Sequence, residues 1–290
     1  MSSTIISGLD GVSFGMVLFF VAVGLSLIMG VMRILNLAHG AFYMLGGYVG
    51  WTLSVRAGAG FWMALLAAGL SVALVGVIAE KAVLRRMRGA LDNQVLATLG
   101  LLYIATNIVI WLWSGEPKAP VVPSPLNRSV QISGQPYPLS RLVIISAGVL
   151  VVGGAWWLEE HTIWGSRLRA GIDDRDIAMT LGVNVDRLSA VVFAMGSFLA
   201  GIGGMLGQIF TGLTPAQGTD MLLLALIVVI IGGVGRIKAT VAGALVVGIV
   251  NSFGYRLVPS LAPYLGYAVM IGVLIVRPSG IFGNVAASSK

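Results

Sequence analysis

The sequence predicts an all-α fold: a polytopic transmembrane helical bundle of about eight to nine spans, with its N-terminus outside and its C-terminus cytoplasmic. Three observations point there. Of 290 residues, 57% are hydrophobic and only 10% charged, with a mean hydropathy of +0.96. A water-soluble domain carries about 25% charged residues. The apolar residues form long uncharged runs, most of them near the roughly 20 residues a helix needs to cross hydrocarbon. Finally, Lys and Arg are spread unequally between alternate connections, which fixes a direction of insertion.

The elements follow in order. Residues 1–10, MSSTIISGLD, contain no Lys or Arg. A cleaved signal peptide needs a positive n-region, so 12–32 reads as a retained span. Further runs cover 34–55, 61–79 and 93–113. Residues 114–140 are polar and carry Pro117, Pro120, Pro123, Pro125, Pro136 and Pro138, so they form an external loop with room for a small hairpin at 130–135. The run 142–158 leads into the charge-dense 165–187, and 188–210 follows. The run 221–235 is short; it either starts in the preceding loop or is re-entrant. Runs 239–255 and 257–276 complete the bundle, and 1–290 reads as a single transmembrane domain. With the 80–88 connection in the cytoplasm, 13 of the 18 Lys and Arg residues fall inside.

Composition also excludes. There is no cysteine, and His39 and His161 lie far apart, so no metal site, cofactor or catalytic constellation is expected. The net charge of +7 is that of basic loops touching anionic headgroups, not of a nucleic-acid binder. The turn 232–238, GGVGRIK, lacks the spacing of a phosphate loop, so the chain is not expected to bind nucleotide. No acidic residue falls inside a run. Asp92 and Asp220 come nearest, at helix starts where capping accounts for them. Energy for any active transport would therefore enter through a partner.

The segment 165–187, GSRLRAGIDDRDIAMTLGVNVDR, is where such a partner would act. A charge at mid-membrane costs roughly 2.5–3.5 kcal/mol, so this segment lies outside the hydrocarbon. Asp173 and Asp174 can cap a short helix over 174–181, with Ile177, Ala178 and Leu181 on one apolar face and Gly182 ending it. Polar residues within the runs are few: Asn36, His39, Tyr43, Thr98, Asn107, Gln208 and Asn251. Asn36, His39 and Tyr43 are spaced i, i+3, i+7, which puts them on one face of a helix. They line a translocation route or seal one helix to a neighbour. The 40 glycines include Gly46 with Gly50, Gly203 with Gly207, and Gly196, Ala200 and Gly204 on a shared face. Such small residues let helices approach closely, either as static packing or as sliding surfaces.

Four stretches carry a family resemblance: 30–50 (GVMRILNLAHGAFYMLGGYVG), 169–185 (RAGIDDRDIAMTLGVNV), 232–248 (GGVGRIKATVAGALVVG) and 277–283 (RPSGIFG). The chain resembles a permease of the branched-chain amino-acid ABC importers, and the likeness covers nearly all of it. It implies an inner-membrane subunit beside a second homologous permease, two cytoplasmic ATPases and an external binding protein, working by alternating access. ATP would be hydrolysed on the ATPases. The segment 165–187 is similar to the coupling segment of ABC permeases, with Ala178 and Gly182 in the places of its alanine and glycine. Arg169, Asp173, Asp174, Arg175, Asp176, Leu181 and Asn184 complete that surface. The usual glutamate is absent; Asp173, Asp174 and Asp176 supply the acidity. Relatives of this kind also resemble importers of urea and short amides; an ion-coupled carrier is the rival of another class.

Overall fold

A helix that is apolar all round has no side to show water or a polar partner, and it is buried. The first helix, α1 (Ser2–Met32), behaves so: most of residues 11–32 are enclosed, and it is the centre of the molecule. The structure is a computed structural model and describes residues 2–87 and 90–282. Around α1 stand α2 (His39–Val55), α3 (Phe61–Ala82), α4 (Leu91–Trp113), α5 (Leu139–His161), α8 (Val185–Thr211), α9 (Gln217–Gly232), α10 (Ile237–Leu257) and α11 (Ala262–Val276). Two short helices, α6 (Ile163–Asp173) and α7 (Arg175–Thr180), join α5 to α8. An antiparallel hairpin, β1 (Ser129–Ile132) and β2 (Gln135–Pro138), sits in the proline-rich loop.

α10, α8, α9 and α5 pack on α1; α2 and α3 pack on α8. α4, α5 and α11 are peripheral and show Leu96, Tyr103, Ile104, Leu150 and Ile275 outward, as a lipid-facing surface requires. The inner contacts rest on small residues. A Cβ on Gly24 would lie 2.6 Å from the Gly196 backbone, and one on Gly46 2.3 Å from the Gly201 carbonyl. Only glycine allows helices to meet this closely.

All nine apolar runs are helical. Six helices are long and apolar enough to cross a membrane; α9 and α11, of 16 and 15 residues, are shorter, as is α2 with 17. Several run boundaries differ from the sequence reading: α1 starts at Ser2 and α11 only at Ala262, and the starts of α2 and α9 bear on the site. The run 34–55 becomes helical only at His39. The chain turns back at Arg33, which has φ +55°, and returns without helix to Asn36, whose carbonyl accepts from the His39 N–H. Tertiary bonds hold that return: Thr98 Oγ1 accepts from the Leu37 N–H at 3.1 Å, and the His39 imidazole Nε2 lies 2.9 Å from the Val21 carbonyl, well inside α1. α9 begins at Gln217, in the loop preceding its apolar run. Its first turn touches that of α2, where a Cβ on Gly40 would lie 1.9 Å from the Gly218 carbonyl. Two helices thus start inside the bundle, face to face.

The paired charged residues sort to two ends. One end joins Arg85 to Asp186 at 3.0 Å and Lys238 to Glu160 at 3.1 Å, with α6, α7 and the α9–α10 turn beside them. The other joins Arg141 to Asp10 and holds Arg256 against Ser3, Thr4 and Ser7.

Candidate functional site

Two features are built from the expected residues: a charged surface at one end and a polar cluster within. The surface begins at Thr162, whose Oγ1 accepts from the Gly165 N–H and starts α6. Asp173 closes α6, so it does not cap the next helix. Asp174 alone does, its Oδ1 accepting from the N–H groups of Asp176 (2.9 Å) and Ile177 (3.0 Å). α7 is only six residues long and ends at Gly182, whose φ of +82° suits glycine. Asn184 then caps α8 by accepting from the Arg187 N–H at 2.9 Å.

The expected single apolar face over Ile177, Ala178 and Leu181 is not what forms. Ala178 turns inward, at 1% exposure, while Ile177 and Leu181 turn outward at 58% and 75%. The helix is too short for its i, i+3 pattern to persist: Leu181 already lies in the cap. The result is an exposed apolar pair among Asp173, Asp176 and the half-buried Arg175.

Arg169 ties this surface to the bundle. Its guanidinium donates to the Glu159 carbonyl and lies 3.9 Å from Glu160, which also binds Lys238 at the start of α10. Ile172 packs on Gly30, near the end of α1, and on Gly235 of the α9–α10 turn, whose N–H donates to Ser26 Oγ at 2.9 Å. α6 thus packs on α1, α5 and α8 and touches the α9–α10 turn. The Glu159–Glu160–Lys238 part of this linkage had no signal in sequence periodicity; only the fold brings α5 to α10.

The polar cluster lies where α2 begins. Asn36, His39, Tyr43 and Thr98 are all buried there. Asn36 precedes the helix, so the three-residue stripe is not one helical face, although burial unites it. Neither amide atom of Asn36 nor the Tyr43 hydroxyl has a hydrogen-bond partner among the described residues. Gln208 is buried elsewhere, as a clamp: its Oε1 accepts from the Val121 N–H at 2.8 Å and its Nε2 donates to the Val121 carbonyl at 3.0 Å, holding the outer loop onto α8. Asn107 is exposed and bonds back to the Tyr103 carbonyl; Asn251 is half-buried on α10. The structure does not bring these two to the cluster.

Asp220 differs from its expected role. The N-cap of α9 is Ala216, without a side-chain cap, and Asp220 is the fourth helical residue. It is exposed on the surface of the bundle and makes no side-chain hydrogen bond or ion pair among the described residues.

Six helices long and apolar enough to cross a membrane, with a charged, helix-bearing connection at one end, define the class: a multi-pass membrane protein. The permease-component family of branched-chain amino acid transport systems matches residues 8–277, and the chain belongs to that family. It is 26% identical to the high-affinity branched-chain amino acid transport system permease protein LivH of Escherichia coli K12, over 95% of this chain and 94% of the relative. It is 24% identical to the corresponding protein BraD of Pseudomonas aeruginosa, with the same coverage. A fructose import permease protein of Rhizobium meliloti is 29% identical over 62% of this chain and 52% of its own length. No solved structure matches.

Proposed function

We propose that this chain is the transmembrane permease subunit of an ATP-driven importer in the inner membrane, translocating branched-chain amino acids by alternating access. It works beside a second permease, two cytoplasmic ATPases and an external binding protein. The N-terminus lies outside, and 165–187 and the C-terminus lie in the cytoplasm; 114–140 is the external loop. One observation carries this reading. α7 is a capped helix presented at the end of the bundle with Ile177 and Leu181 exposed, and α6 seats it on α1, α5 and α8.

In this reading Arg169, Asp173, Asp174, Arg175, Asp176, Leu181, Gly182 and Asn184 form the ATPase-coupling segment, and the buried Ala178 seats α7 beneath it. Closure of the ATPase dimer moves α7, and α6 passes the motion through Ile172 and Arg169. Asn36, His39, Tyr43, Thr98, Asn107, Gln208 and Asn251 are the polar groups offered to the route, the enclosed ones becoming accessible as helices part. The test is ATP-driven uptake by the reconstituted transporter. Leucine import that resists a protonophore and requires ATP supports the reading; import that collapses with the proton gradient refutes it.

A further inference from the structure

Asp220 lies in the first turn of α9, where a carboxylate complements the helix dipole, but its side chain has no partner among the described residues. Its depth can be read from its neighbours. A Cβ on Gly218 would lie 3.4 Å from the Gly40 carbonyl and 3.6 Å from the Leu102 side chain. Leu102 is the twelfth of the 23 residues of α4, about 16 Å from either end. Asp220 lies two residues beyond Gly218, or about 3 Å along α9, so it stands near mid-membrane. Ala216, Thr219 and Leu223 are exposed with it. A carboxylate at that depth cannot face lipid, and water or a cationic partner must meet it. It does not cap α9, and no cation of the described residues pairs with it.

We propose that Asp220 receives the ammonium group of the translocated amino acid, in a water-filled cavity between this permease and its partner subunit. This rests on the importer reading above. A branched-chain amino acid carries one cationic group, and the face supplies one carboxylate, the Thr219 hydroxyl beside it and the apolar Leu223 one turn away. A charge-assisted hydrogen bond gives the zwitterion a stopping place where hydrocarbon would exclude it. The site is a carrier's site, open to water on each side in turn, which is why Asp220 is exposed when the buried Asn36 and His39 are not.

The test uses the full transporter, with both permeases, ATPases and binding protein, in proteoliposomes. Asp220→Asn should assemble and keep ATP hydrolysis stimulated by the loaded binding protein, while leucine uptake falls about tenfold or more, as loss of a hydrogen bond to a charged group implies; Asp220→Glu should recover part of it. The thiol of Asp220→Cys should react with a small cationic thiosulfonate in the assembled transporter, and more slowly during leucine turnover. Normal uptake by Asp220→Asn overturns the proposal. So does an Asp220→Cys thiol that stays unreactive in the complex while Asp220→Asn fails to assemble, since that marks an ion pair between subunits. A wild type that imports no branched-chain amino acid, with the Asp220→Cys thiol still reactive and unprotected by leucine, overturns the substrate reading itself.

Discussion

Replacing Gly24 by alanine tests whether the centre of the bundle depends on backbone contact. The added Cβ would lie 2.6 Å from Gly196 Cα and its carbonyl oxygen, where ordinary contact begins at 3.4 Å. Those atoms are backbone, so no side chain can swing away and α1 and α8 must part by about 0.8 Å, the difference between the two distances. Overpacking of this kind costs about 1–3 kcal/mol, against a helix-propensity gain of about 1 kcal/mol. Gly24→Ala should therefore lose up to about 2 kcal/mol. Gly100→Ala on α4 is the control: nothing lies within 4 Å of its Cβ, so only the propensity gain remains. Unfolding in mixed micelles by titration with sodium dodecyl sulfate, followed by tryptophan fluorescence, should separate the two variants by the overpacking cost, about 2 kcal/mol. Values within about 0.5 kcal/mol of each other, the spread of ordinary surface substitutions, would refute the reasoning.

Other expectations concern the ends. Cys at Asp176 should react with an impermeant reagent in inside-out vesicles and not in intact cells; the reverse would invert the topology. Ala178→Arg, at a site 1% exposed, should disrupt the seat of α7 and uncouple ATP hydrolysis from uptake while the subunit still inserts; unchanged coupling removes the assignment. Asp174→Ala removes the acceptor of two N–H groups and should cost α7 about 1 kcal/mol, seen as faster amide exchange over 175–180. Gln208→Leu leaves both polar groups of Val121 without their partner and should loosen the outer loop by about 1–3 kcal/mol, read as earlier proteolysis within 114–128.

The helices were legible because hydrophobicity is a local signal: every apolar run folded as a helix, and the charged connection contains the capped α7 that Asp174 and Gly182 announce. What was not legible depends on depth. The run 34–55 has no internal mark at His39; its start is set by Thr98 and Val21, distant in sequence. Asp220 reads as a helix-start acid until α9 is seen to begin beside the middle of α4. The apolar face of α7 failed for a related reason, since periodicity needs more turns than six residues supply. Asn36, His39 and Tyr43 are each buried, but the helix argument that set them on one face failed because Asn36 precedes α2.

The place of α1 has a consequence for how the protein is made. Ribosomes deliver this helix before the rest of the bundle, yet its close partners are Gly196 on α8 and Ala244 and Gly248 on α10, more than 170 residues later. Until those arrive, its glycine faces meet lipid or earlier helices. The bundle therefore closes around α1 only once α10 has been made, and contacts between residues so far apart assemble slowly. A lesion in α10 would leave the glycine-lined flank of α1 at Gly11 and Gly15 without the backbone it packs against.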